Sequence, residues 1–257
     1  NMTLEEARAR ADAGEVSAMM ALGNYYANDK SSEDSINIAY EWYQKAAEAG
    51  DSDAILKMAK SSYEFASAML PFLDQGGTYK DMVRIMENSH KWTKKLVQNM
   101  SEMGIQGSAL NDVTEFYADS IVWLSAVYSL DKNYTGIKQI TEMVSFPAVR
   151  ALYGFALYEL GSTDNELNTA FVFLEAAMHP DFWSNNYGGS LAIEMLRGGA
   201  AATLSAMYRV LRRDNNAARD ALATCLKYTT NPELRAALQE DMSHYKKTIF
   251  GGYRYVD

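Results

Sequence analysis

The pattern that decides the fold lies near the beginning of the chain. Residues 11–26 read ADAGEVSAMMALGNYY, and residues 39–50 read AYEWYQKAAEAG. A shift of 36 residues places small or apolar residues on one another, taking Ala11 to Ala47, Gly14 to Gly50, Ala18 to Ala54, Leu22 to Met58 and Gly23 to Ala59. A period of this length, with one helical pattern on each side of a turn, is typical of stacked helical hairpins.

Each half of the repeat has the spacing of an amphipathic helix. Ala18, Leu22 and Tyr26 are four residues apart and share one stripe, and the partner helix repeats the arrangement at Ala39, Trp42, Tyr43 and Ala46. Gly50 follows the last periodic residue, where a left-handed helix cap is expected. The stripe positions predict burial of the following side chains: Leu22, Tyr26, Trp42, Met58, Trp92 and Phe173.

These residues resemble the Sel-one-like repeat family, a branch of the tetratricopeptide superfamily. Its pattern is roughly Ala-x2-Gly-x3-Ala-x3-Leu-Gly-x2-Tyr, a loop, and then Ala-x2-Trp-Tyr-x-Lys-Ala-Ala-x2-Gly, and residues 11–50 match it nearly throughout. A second unit is longer, because its closing glycine, Gly104, lies 54 residues after Gly50. Later units are degenerate; they are indicated by Ala148, Leu152, Ala156, Ala170, Phe173, Leu174 and Ala177, and then by Gly188, Ala192 and Leu196.

The sequence predicts an all-α chain of about twelve helices, arranged as an α-α superhelix of antiparallel hairpins in a single domain over residues 1–257. Capping boxes at Thr3 and Thr163, and the pair Asn231-Pro232, mark helix starts, whereas Gly76-Gly77 and Gly161 mark stops. The predicted helices cover residues 3–13, 15–28, 33–49, 51–73, 79–103, 108–130, 135–145, 147–161, 164–178, 189–212, 215–228 and 232–247. The longest irregular segment is 179–189.

Charge and composition disfavour several classes of partner. The net charge is −9 with no basic stripe, so nucleic acid is not an expected partner, and an acidic surface disfavours anionic lipid. No apolar run approaches the roughly 20 residues that span a bilayer, so no membrane insertion is expected. A cytoplasmic location is the expectation, with Met2 as the native start, although a trimmed secreted or periplasmic form stays open.

No recognisable catalytic or cofactor motif occurs, and the chain is therefore predicted not to be an enzyme. The three histidines lack helical metal-ligand spacing, so no metal or other cofactor is expected. His90 and His244 stand beside lysines and are predicted to be solvated, whereas His179 opens the irregular segment that also holds Asp181. The single cysteine, Cys225, is predicted to be a small buried side chain, and it excludes the disulfide-rich members of the family.

The resemblance implies that the chain binds a protein or peptide partner, because the first helix of each hairpin lines the concave face of such arrays. The first-helix residues that flank the packing stripe are Ser17, Met20, Asn24, Asn28, Asp53, Leu56, Lys57, Lys60, Tyr63 and Glu64. Asparagine can satisfy both the N–H and the C=O of an extended peptide, and tyrosine adds contact area with a polar end. A plain solvated surface is the alternative for this set.

Two functional classes stay open at this point. One is a scaffold or adaptor that binds a protein partner on the concave face. The other is a receptor for a peptide or small ligand that changes shape on binding. Another branch of the superfamily clamps C-terminal carboxylates with Lys, Arg and Asn, and Asn24, Asn28, Lys57 and Lys60 are residues of that kind. The partner itself and the oligomeric state do not follow from the sequence.

Overall fold

The computed structural model describes residues 2–72, 79–179, 182 and 189–257, and these form twelve α-helices and one small antiparallel sheet. The helices are α1 Leu4–Asp12, α2 Val16–Asn28, α3 Ser35–Glu48, α4 Ser52–Met69, α5 Tyr79–Asn99, α6 Ser108–Leu130, α7 Tyr134–Thr141, α8 Pro147–Glu159, α9 Asp164–Ala176, α10 Gly189–Leu211, α11 Asn215–Lys227 and α12 Pro232–Ser243. A short 3-10 turn, Leu70–Phe72, follows α4, and the sheet pairs β1 Tyr245–Lys247 with β2 Tyr253–Tyr255. The all-α helical-repeat prediction is confirmed.

The chain forms two compact units, Asn1–Ser120 and Ile121–Asp257, and the division falls within α6. In the first unit α1 packs on α2, α2 on α3, α3 on α4, and α4 on α5. In the second unit α7 packs on α8, α8 on α9, α10 on α11, and α11 on α12. Most of these helices therefore pack chiefly on a neighbour in sequence, as expected of stacked hairpins.

A left-handed residue closes the turn that follows several of these helices in the same way. Gly14, Gly50, Gly104 and Gly161 have positive φ angles of 93°, 95°, 67° and 62°. At each one, the N–H of the next residue donates to the carbonyl oxygen five residues before it, as in Glu15 to Arg10 and Asp51 to Ala46. This hydrogen bond defines the Schellman motif. Lys132, with φ 54°, makes the same turn without a glycine, since the Asn133 N–H donates to the Tyr128 carbonyl oxygen.

The core of the first unit contains the repeated positions. All members of the shifted pairs other than the two turn glycines are buried, and Leu22, Trp42, Met58 and Trp92 lie in the core as predicted. The prediction is wrong for Tyr26, which is half-buried because its hydroxyl oxygen accepts a hydrogen bond from Arg8 Nη2 at 2.8 Å. The core therefore combines small residues, which bring the helices together, with the large apolar side chains of the stripe.

The second unit has its own core, which agrees in part with the degenerate repeats. Ala148, Ala156, Ala170, Leu174 and Ala177 are buried as the repeat pattern requires. The prediction of burial is wrong for Phe173, which is half-buried with the Arg150 guanidinium 5.6 Å from its ring centre. Gly188 lies outside the described residues.

Cys225 is buried in this second core, as predicted. Its sulfur lies 3.7 Å from Thr229 Oγ1, and burial raises the pKa of the Cys225 thiol.

Local capping signals set most helix starts correctly. Thr3 with Glu6 and Thr163 with Glu166 form both hydrogen bonds of the capping box. The Asn231 side chain caps α12, and Pro232 is the first helical residue. Asp51 is the N-cap of α4, accepting from the Ala54 N–H at 2.8 Å, rather than a first-turn residue. The stop predicted at Gly76-Gly77 and most of the irregular segment 179–189, including Asp181, lie outside the described residues.

Four helices end well before their predicted ends, and the last difference changes the fold locally. The helices α4, α5, α7 and α12 end at Met69, Asn99, Thr141 and Ser243, four residues before the predicted ends in each case. After α12 the chain forms a β-hairpin instead of continuing as a helix, because Gly251, with φ 88°, allows a tight turn.

The left-handed turns predict opposite changes in stability for substitutions at Gly50 and Lys132. Gly50→Ala introduces no collision, since nothing lies within 4 Å of the added Cβ, so its cost is the backbone strain of about 1–2 kcal/mol. Lys132→Gly removes the same kind of strain and should stabilise the second unit by up to about 1 kcal/mol. Urea unfolding followed by circular dichroism measures both changes. Equal stability of Gly50→Ala and the parent would contradict the assigned turn.

Candidate functional site

The surface of α2 and α4 carries the residues that the sequence singled out for partner binding. Seven of the ten side chains are exposed, namely Ser17, Asn24, Asn28, Asp53, Lys57, Lys60 and Glu64. The other three, Met20, Leu56 and Tyr63, are half-buried. The set therefore divides into an exposed polar group and an apolar group that the fold itself uses.

Asn24 and Lys57 are brought together by a residue that was assigned to packing. Tyr43 of α3 donates its hydroxyl hydrogen to Asn24 Oδ1 of α2 at 2.8 Å. Over the same ring, Lys57 Nζ of α4 lies 5.0 Å from the ring centre, within cation–π distance. One half-buried ring thus joins the first helices of two successive repeats.

The position of the Tyr43 ring depends on Gly23. A Cβ atom at residue 23 would lie 2.5 Å from Tyr43 Cε1 and 2.6 Å from Cδ1, which is closer than carbon atoms approach. The glycine therefore leaves the space that the ring fills between α2 and α3. The repeat pattern correctly marks Gly23 as a position of close helix approach, but the residue that fills the space is visible only in the structure.

Two exposed polar residues of the set make local hydrogen bonds. Asn28 Nδ2 donates to the Asn24 carbonyl oxygen at 2.8 Å, one turn earlier in α2. Ser17 Oγ donates to Glu15 Oε1 at 2.9 Å, beside the start of α2. Both side chains remain exposed, so these contacts orient them without removing them from solvent.

Met20 and Leu56 differ from their predicted role. Both were placed outside the packing stripe, but both pack against the core of the first unit. The reason is that α2 and α4 each contact helices on more than one side, so the apolar face of each helix is wider than the stripe inferred from the repeat.

Tyr63 also serves the fold more than an exposed surface. Its hydroxyl donates to Asp119 Oδ2 of α6 at 2.8 Å, and its ring lies 4.3 Å from that of Phe116. Asp119 is buried, and desolvation raises the pKa of this carboxyl group to about 6. Burial and the neighbouring Asp119 charge raise the pKa of Tyr63 as well.

His90 belongs to a buried polar cluster, so the prediction of a solvated side chain is wrong. Its Nδ1 lies 3.3 Å from Ser120 Oγ, and its ring stacks on Tyr117 at 5.7 Å. Thr93 Oγ1 donates to the same Ser120 oxygen at 2.9 Å. Desolvation, with a smaller contribution from the Lys94 charge, lowers the pKa of His90 to about 4. Lys91, which follows His90 in sequence, is exposed with its Nζ 3.4 Å from Glu48 Oε1, so it gave no indication that His90 is buried.

The other two histidines lie apart from this cluster in sequence and take no part in it. His179 is exposed, and His244 is half-buried, with Nδ1 2.9 Å from the Val256 carbonyl oxygen and its ring stacked on Tyr255. The prediction of a solvated His244 is therefore wrong in part. Across the described ranges, no three His, Cys, Asp or Glu side chains are grouped in a way that could hold a metal ion.

Searches of protein-family models, curated proteins and solved structures found nothing that matches this chain. The resemblance to Sel-one-like repeats thus stays a prediction that rests on residues 11–50. Among the helices in the described parts of the chain, none is long and apolar enough to cross a membrane.

The buried carboxyl group leads to a prediction about pH. Because the pKa of Asp119 is about 6 in the fold and about 3.9 in an unfolded chain, its ionisation costs stability above pH 6 and the cost disappears as the pH falls. Asp119→Asn keeps an acceptor for Tyr63 and should stabilise the chain by about 1–3 kcal/mol at pH 8. His90, with its lowered pKa, has the opposite effect and loses stability as the pH falls from about 6.5 towards 4.

Urea unfolding at pH values from 8 to 5 tests this balance. The Asn variant should be more stable than the parent at pH 8, and the difference should shrink as the pH falls to 5, because Asp119 of the parent becomes protonated and its ionisation cost falls. The His90 loss is common to both proteins and does not change their difference. Asp112→Asn, at an exposed position on the same helix, is the control and should show no such dependence. A difference of the same size at pH 8 and pH 5 would show that Asp119 is ionised throughout.

Proposed function

We propose that this chain is a non-enzymatic interaction module that binds a protein or peptide segment along the exposed surface of α2 and α4. The observation that carries the proposal is the contact of Tyr43 with both Asn24 and Lys57. An amide and a cation from two successive repeats thus contact one side chain, the amide at the hydroxyl and the cation over the ring. These contacts order Asn24 and Lys57 at an exposed surface, which favours a binding role over a plain solvated surface.

The chemistry of this surface suits an extended chain segment. The Asn24 amide uses its oxygen for Tyr43 and keeps two N–H donors, which fit a backbone carbonyl or a carboxylate of the partner. Lys57 and Lys60 are exposed cations about one turn apart on α4. They favour an acidic side chain or a terminal carboxylate of the partner. Asn28 extends the row of amides along α2.

The contacts with Tyr43 already order the Asn24 and Lys57 side chains, and this reduces the entropic cost of binding. Ordering a long side chain at an interface costs about 0.5–1.5 kcal/mol, and a side chain that is already held loses less. Met20 and Leu56 do not contribute apolar contact, since they pack into the core. Binding at this surface is therefore expected to depend on polar groups and on salt concentration.

The probe for a test is a peptide that binds the chain. Such peptides are selected from a random phage-displayed library on the immobilised full chain. The affinity of a selected peptide is then measured by calorimetry for the parent and for Asn24→Ala/Lys57→Ala. The double variant should bind at least about tenfold more weakly, since one hydrogen bond and one charged contact are lost. Its stability should fall by about 1–2 kcal/mol or less, because only the exposed Tyr43 hydrogen bond and the exposed Lys57 cation–π contact are removed.

A matched variant in the second unit controls for loss of the same residue types. Asn165 is an exposed helical asparagine, and Lys227 lies 5.3 Å from the ring centre of Tyr228. Asn165→Ala/Lys227→Ala should bind the peptide as the parent does. If the selected peptides bind both variants with the parent's affinity, the α2–α4 surface is not the site. A comparison of each peptide with its C-terminal amide shows whether a terminal carboxylate is recognised.

A further inference from the structure

The β-hairpin after α12 presents two large apolar side chains at its tip. Tyr245 pairs with Tyr255, Lys246 with Arg254, and Lys247 with Tyr253. The turn is closed by two hydrogen bonds, from the Thr248 N–H to the Gly252 carbonyl oxygen at 2.8 Å and from the Gly251 N–H to the Thr248 carbonyl oxygen at 3.1 Å. The side chains between them, Ile249 and Phe250, are 93% and 92% exposed.

The base of this hairpin is fixed firmly to the second unit. Tyr245 is buried and its hydroxyl lies 2.8 Å from Ser205 Oγ of α10. The Tyr253 N–H donates to Asn216 Oδ1 of α11 at 2.9 Å. The Arg209 guanidinium lies 4.0 Å from the ring centre of Tyr255. These contacts hold the tip outward, and none of them uses Ile249 or Phe250.

The two tip residues are therefore not explained by folding. Central positions of tight turns normally carry Gly, Pro, Asn, Asp or Ser, because those residues suit the turn backbone and its exposure. An isoleucine next to a phenylalanine at this point adds exposed apolar area and no internal contact. Adjacent apolar side chains on a rigid projection are typical of a surface that binds something apolar.

The charged residues behind the tip indicate what kind of partner that surface binds. Lys246, Lys247 and Arg254 are all exposed, and no acidic residue lies between Asp241 and Asp257, although the whole chain has a net charge of −9. Lys246 and Arg254 also stand directly opposite each other across the strands. Like charges in that position destabilise a hairpin, and anions placed beside them would relieve the repulsion.

We propose that this hairpin is a peripheral membrane contact that recognises anionic phospholipid. Ile249 and Phe250 enter the boundary between headgroups and acyl chains, while Lys246, Lys247 and Arg254 bind the phosphate-bearing headgroups. The dimensions agree, because a strand rises about 3.3 Å per residue, so the cations lie about 7–13 Å behind the tip. Interfacial segments insert to about 5–10 Å, which leaves the cations at headgroup level.

A bilayer fits this tip better than a protein groove does. A stable protein interface needs about 800 Å² from each partner, and the apolar pair is followed by Gly251 and Gly252 rather than by further apolar surface. A bilayer interface needs no matching shape and takes up two side chains as they are. The overall negative charge predicts weak attraction to lipid, but it is an average that does not describe this segment.

Sedimentation of the full chain with lipid vesicles tests the proposal. The vesicles contain either phosphatidylcholine alone or phosphatidylcholine with about 30% phosphatidylserine. The parent should bind the anionic vesicles, and more weakly at about 0.5 M salt than at about 0.15 M salt. Ile249→Ser/Phe250→Ser should weaken binding about 100-fold or more, since the burial of two large side chains is lost.

Two further variants separate the apolar and the charged contributions. Lys246→Gln/Arg254→Gln should weaken binding to anionic vesicles about 30-fold and leave any binding to neutral vesicles unchanged. Met143→Ser replaces another apolar side chain, 91% exposed but outside the hairpin, and should bind as the parent does. Circular dichroism should show all variants folded, because every substituted side chain is exposed.

Two outcomes would overturn the proposal. One is that the parent does not bind anionic vesicles. In that case, a concentration-dependent association of the chain that the Ser variant abolishes would assign the tip to a protein contact instead. The other is binding that the Ser variant retains in full. The proposal rests on the hairpin alone, so neither outcome bears on peptide binding at α2 and α4.

Discussion

The left-handed turn after a helix is the constraint on which the rest of this structure depends. At Gly14 and Gly50 the chain leaves one helix and enters the next after three residues, and the N–H of the following residue closes the turn. So short a connection fixes the angle between the two helices. The small residues Ala11, Ala18, Ala47 and Ala54 then face each other closely enough to be buried completely. Turn and core are in this sense a single arrangement that is repeated along the first unit.

The features that could be predicted from the sequence are those that depend on residues nearby in the chain. Helix caps such as Thr163 with Glu166, and the buried alanines of the repeat, depend on neighbours within one or two turns. Tyr63 could not be placed in this way, because its contacts are with Phe116 and Asp119 of α6, which lie more than one repeat further along the chain. The repeat pattern describes the packing of neighbouring helices and does not show which more distant helix covers α4.

His90 and the C-terminal hairpin were missed for a related reason. Their surroundings come from residues distant in sequence, Ser120 for His90 and Asn216 with Ser205 for the hairpin. A short pair of strands has little stability of its own and forms where helices offer it a surface. The candidate site illustrates the same limit. Asn24 and Lys57 are predictable as exposed first-helix residues, whereas their connection through Tyr43 depends on the close approach that Gly23 permits.

The burial of Cys225 has a consequence for the origin of the stability of this fold. It is the only cysteine in the chain, it lies in the core of the second unit, and its pKa is raised by burial, so its thiol is poorly reactive. A single cysteine cannot form a disulfide within the chain, and burial shields this thiol from oxidants. The stability of this fold therefore does not depend on an internal disulfide, unlike that of a repeat protein with a disulfide in each hairpin.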